Sequence, residues 1–165
     1  MVEQAIAANK WDRVFAICDK KVLIPTYKEL FDRIPDNQKY SIFVTLYVRS
    51  ETGFELFGDD FIKKVYSYKT LDPEYAERMA EFDRDSKKSM TPDGKIKVLH
   101  GQNGNYDVMD EMSWTLSRKT ALFFANRFNA KGRVVSRLIT RDEVQDYYNI
   151  RNEFEVIIFP DRFKT

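Results

Sequence analysis

From Lys95 to His100 the chain reads Lys-Ile-Lys-Val-Leu-His, polar and apolar in alternation through Val98, the period of a strand. Upstream of it the apolar positions recur at helical spacing. Ala5, Ile6, Val14, Phe15 and Ile17 are expected on a helix reaching about Asp19. Pro25 is expected to break the chain, and Thr26 with Glu29 makes a capping box opening a short helix through Leu30 and Phe31. Residues 41–48, SIFVTLYV, have strand composition, but Ile42, Leu46 and Arg49 share one helical face, and we read 38–49 as helix. Gly53 and Gly58 punctuate, and Asp59 or Asp60 caps a helix through Tyr68. Asp72-Pro73-Glu74 starts another, through Met79 and Phe82 to about Asp85. Residues 1–85 therefore read as mostly helical, with Trp11, Phe15, Phe43 and Tyr47 in the expected core.

The polar stretch RDSKKSMTPDGK, ending in a Pro-Asp-Gly turn, divides a helical region 1–90 from a mixed region 91–165. After the first strand, 101–112 reads as a loop and Ser113-Trp114-Thr115 as a strand end. Ser117 caps a helix carrying Ala121, Leu122, Phe124, Ala125 and Phe128. A strand over 133–139 follows. Thr140 with Glu143 predicts a short helix to Tyr148, and 151–159, RNEFEVIIF, a last strand. Helices first and a mixed part afterwards make an α+β chain.

Composition narrows the chemistry. Lys plus Arg is 27 and Asp plus Glu 26, a net charge of +1, so wholesale phosphate neutralisation is excluded and a local basic patch is not. One cysteine, Cys18, excludes an internal disulfide framework and any multi-cysteine zinc site, and we expect no metal. The single histidine is His100. The N-terminus lacks the apolar run of a signal peptide, and 41–48 is too short to span a bilayer, so the expectation is a cytoplasmic protein without membrane contact.

Three features bear on function. His100-Gly101 ends a strand, where a glycine lets a ligand approach the backbone. Ser113 and Thr115, at i and i+2, point to one side, and Trp114 to the other. Glu153 and Glu155 are expected side by side on one strand face, where like charges raise each other's pKa unless a cation or ligand answers them. Each alone has an ordinary explanation: a strand-end turn, a capping signal over a core Trp, a solvated strand end near Arg151.

In this order, His-Gly on a first strand, Ser-x-Thr before an Ala-x-x-Phe-Ala helix and Glu-x-Glu on a late strand resemble the ADP-ribosyltransferase family. The resemblance covers roughly 95–159, with SWTLSRKTALFFANRF and RNEFEVII its most specific parts. It implies a helical N-terminal part followed by a small split-sheet catalytic domain, and NAD as a consumed substrate. The implied reaction is glycosyl transfer with nicotinamide release, to a protein or nucleic-acid acceptor, a protein arginine being favoured. By the same resemblance Glu155 stabilises the cationic sugar and Glu153 holds the acceptor. His100, Gly101, Ser113, Trp114 and Thr115 line the NAD site, with Ser113 bonding Glu155 or the ribose. Two other readings stay open: a catalytically inactive binding or inhibitory protein of the same fold, and an NAD glycohydrolase. No G-x-G-x-x-G follows a strand, so nothing points to a Rossmann site.

Overall fold

Asn9, at φ 54°, ends one short helix and leads into the next, so the first expected helix is two: α1 (Val2–Ala7) and α2 (Trp11–Ile17). The computed structural model describes residues 1–50, 54–129 and 131–164; Gly53 lies outside them. Helix α3 (Leu23–Leu30) starts upstream of Thr26 and takes Pro25 into its first turn. There the missing proline N–H costs nothing, because the first N–H groups of a helix have no internal partner. Helix α4 (Asp36–Arg49) includes 41–48: Tyr40, Phe43, Val44 and Leu46 are buried at helical spacing, which outweighs the strand composition. Helix α5 is Asp59–Tyr66.

Contacts divide the chain into two compact units, Met1–Tyr75 and Ala76–Thr165. In the first, Tyr27 is fully buried and donates its hydroxyl to the Lys39 carbonyl at 2.7 Å. The rings of Phe31, Phe43 and Phe57 surround it at 5.6, 6.3 and 5.9 Å. Trp11 and Phe15 are buried and Tyr47 is half-buried.

The second unit takes all but the first residue of helix α6 (Tyr75–Asp85), a five-stranded antiparallel sheet and helix α7 (Arg118–Ala125). The α+β class holds. The strands are β1 (Ile96–Gln102), β2 (Ser113–Thr115), β3 (Arg133–Ile139), β4 (Val144–Tyr148) and β5 (Glu155–Ile158), in the order β3-β1-β2-β5-β4. Helix α6 packs on the sheet. Phe82 meets Tyr147 at 5.4 Å, Tyr147 donates to Asp85 at 2.8 Å, and Arg78 pairs at 2.8 Å with Asp146, which is wholly buried.

Two sequence expectations fail here. The Thr140–Glu143 pair closes one 3-10 turn, and residues 144–148 are strand, not helix. Val144, Tyr147 and Tyr148 are β-branched or aromatic and are buried against β5, so pairing wins over the capping signal. The last strand begins at Glu155, because Asn152 and Phe154 have φ of 54° and 51° and cannot continue a ladder. Among the described residues no helix is long and apolar enough to cross a membrane.

Candidate active site

The sheet is strongly laddered on either side of one weak seam. β1 and β3 share seven residue pairs and β2 and β5 share three, but β1 and β2 share only Leu99↔Thr115. Beyond that pair His100 fills the seam. Its Nδ1 lies 2.8 Å from the Ser113 carbonyl, which can only accept, so Nδ1 carries a proton. In the neutral ring Nε2 then accepts from the Tyr106 hydroxyl at 2.9 Å. Strict alternation would put the His100 side chain on the opposite face from Ser113 and Glu155. The seam lets it reach the same cleft.

Ser113 and Glu155 stand diagonally across the β2–β5 ladder, where Ser113 pairs with Ile157 and Thr115 with Glu155. The Ser113 hydroxyl donates to Glu155 Oε1 at 2.6 Å. Thr115 lines the cleft and also holds its frame. It is 6% exposed, donates to the Glu153 carbonyl at 2.6 Å and accepts from the Ser117 N–H at 3.0 Å. It therefore fixes the approach to β5 and the entry to α7. Glu153 precedes the strand, so the two carboxylates are not strand-face neighbours. The left-handed turn at Phe154, whose N–H donates to Asn149 Oδ1 at 3.2 Å, lets both line the cleft.

Gly101 has a structural task. A Cβ there would collide with the Ala121 carbonyl and crowd the Ala125 N–H, so its bare face is taken by the backbone of α7. Ala121 and Ala125 are small for the same reason, and their approach sets Thr120 and Phe124 along the cleft wall. Trp114 is 1% exposed, donates its indole N–H to the Glu111 carbonyl at 3.0 Å and lies 5.5 Å from the His100 ring. It forms part of the cleft floor beneath His100.

The resulting cleft holds about 340 Å³ and is bordered by all seven expected site residues, His100, Gly101, Ser113, Trp114, Thr115, Glu153 and Glu155, together with apolar Leu99 and Phe124. It also takes in Asn103, Tyr106 and Arg127, which the sequence reading passed over, and Phe128, which was expected on the helix but lies beyond its end at Ala125. Burial pushes the Tyr106 hydroxyl pKa up, an effect the nearby Glu111 reinforces and the Asn103 backbone partly offsets. Asn103 Nδ2 donates to the Arg127 carbonyl at 2.6 Å, tying the loop after β1 to the end of α7. The Arg-Phe pair just after the Ala-x-x-Phe-Ala helix was the available signal for Arg127 and Phe128. Among the described residues no three His, Cys, Asp or Glu side chains group as metal ligands. Comparison with known proteins gives no match to a family model, to a curated protein or to a solved structure.

Proposed function

We propose that this chain is an ADP-ribosyltransferase that cleaves NAD in this cleft and passes ADP-ribose to an N–H nucleophile of a macromolecule. The observation that carries the reading is the Ser113–Glu155 bond, in a cleft shared with His100 and Glu153. Breaking the nicotinamide N-glycosidic bond develops positive charge on the ribose, as in glycoside hydrolysis. A carboxylate held by a hydroxyl among apolar walls is preorganised for that charge. Nicotinamide leaves with the bonding electron pair. The acceptor nitrogen bonds the anomeric carbon and loses its proton, for which Glu153 is the base. The arginine acceptor implied by the resemblance offers such an N–H, and so does the amino group of a nucleobase. Arg127 at the cleft wall supplies a cation for the NAD diphosphate.

His100 favours a second reading. Both its ring nitrogens already have partners within the protein, which suits a cleft that binds without turning over. Purified protein incubated with a cell lysate and NAD labelled in its adenylate half separates the readings. Free nicotinamide with a labelled macromolecule supports transfer. Nicotinamide without one means a glycohydrolase, and neither product means a binding protein.

A further inference from the structure

Residues 112–141 contain seven Lys and Arg and no Asp or Glu, in a chain whose net charge is only +1. Arg137 and Arg141 are paired, with Glu143 and Asp161 and with Asp83 respectively. Arg118, Lys119, Lys131 and Arg133 are exposed and form no ion pair among the described residues, Arg133 donating from Nε to Gln102 Oε1 at 2.6 Å. Arg118 and Lys119 occupy the first turn of α7, at the positive end of the helix dipole, where cations are unfavourable for folding. On the same outer face stand Leu122 and Phe123, 42% and 63% exposed. Just beyond the helix Phe128 is 84% exposed and held at φ 60°, a strained conformation for a bulky residue that contributes nothing to the core. The Arg127 guanidinium lies 5.0 Å from its ring. A Cβ at Gly132 would collide with the Ala125 and Gln102 carbonyls, so Lys131 and Arg133 flank this same end of α7.

From these features, and resting on the NAD-cleaving reading, we propose that the acceptor is a single-stranded nucleic acid docked along the outer face of α7. Cations for phosphates beside exposed rings for bases are the pattern of single-strand binding surfaces. A cationic arginine segment would be repelled here, and an acidic protein would leave Phe123 and Phe128 without flat partners. Phe128 and Arg127 also border the cleft, so a base stacked at Phe128 stands at the mouth of the cleft that Glu153 lines. In the step itself a base N–H bonds the anomeric carbon, nicotinamide departs with the electron pair and the proton goes to Glu153.

The test uses the whole protein and a fluorescent mixed-sequence DNA strand of about 20 nucleotides, longer than the ~4–16 covered by one single-strand-binding module. Anisotropy should show binding that weakens with salt. Arg118→Glu with Lys119→Glu should weaken it about tenfold or more, and Phe123→Ala by about tenfold. The exposed pair Lys87→Glu with Lys88→Glu, on the segment after α6, is the charge control and should change affinity little. With labelled NAD, label should appear on the strand. No binding, equal loss in the control, or label on an arginine-rich protein and none on the strand overturns the proposal. Nicotinamide released with label only on protein leaves NAD cleavage standing. No nicotinamide with any acceptor ends NAD cleavage and the acceptor role with it.

Discussion

Ser113 and Glu155 face each other diagonally across β2 and β5, with the hydroxyl 2.6 Å from Oε1. The bond holds one carboxylate in one orientation while the ladder on both strands holds the backbone. Ser113→Ala should keep the fold and slow nicotinamide release by about 10- to 100-fold, the equivalent of one hydrogen bond to a charged group. The loss should fall on kcat more than on KM, measured by steady-state nicotinamide release.

Thr115 acts through Glu153, whose carbonyl it holds at 2.6 Å. Thr115→Val keeps the shape and removes the bond. Release of nicotinamide should persist while label on the acceptor drops several-fold, and the ratio of the two products is the readout. A purely structural role would lower both equally.

Gly101 meets the backbone of α7, which cannot move aside as a side chain can. Gly101→Ala should destabilise the second unit by about 1–3 kcal/mol or more, as overpacking does. Urea denaturation followed by circular dichroism checks this.

Arg78 on α6 is the partner of the fully buried Asp146. Removing the cation leaves an uncompensated buried carboxylate, so Arg78→Ala should cost about 3–5 kcal/mol. The double change Arg78→Met with Asp146→Leu should cost less, and the same denaturation experiment distinguishes them.

Glu143 gives the fold an acid limit. Burial opposes its charge, but the Thr140 N–H, the Lys164 ammonium and the Arg137 guanidinium outweigh burial and hold its pKa below the ordinary 4.5. A carboxyl lowered by folding binds fewer protons than in the unfolded chain. Its stabilisation is therefore complete above that ordinary value and is lost as pH falls through the lower folded one. Glu143→Gln should be less stable than wild type near neutral pH, with the difference closing in acid, measured by urea midpoints across the range.

Much of this was legible along the chain. Alternation marked β1, the strand over 133–139 is β3, Ser117 capped α7 as its position promised, and Asp72 accepts from the Glu74 N–H at 3.1 Å before α6. The strand over 144–148 was hidden because a true local signal, the Thr140–Glu143 pair, shapes only one turn before tertiary pairing takes over. Phe154 defeated the period-2 reading of the carboxylates because nothing in a Phe announces a left-handed backbone. The places of Tyr106, Arg127 and Phe128 in the cleft were missed because they depend on a loop and a helix end whose course is set by contacts distant in sequence.

The most direct measurement is nicotinamide release from NAD by wild type and by Glu155→Gln, with circular dichroism as the folding control. Glutamine keeps the size and the bond to Ser113 but removes the negative charge that the cationic ribose needs. The account predicts release by the wild type and none above background by the folded variant. Release at the wild-type rate from Glu155→Gln would contradict it.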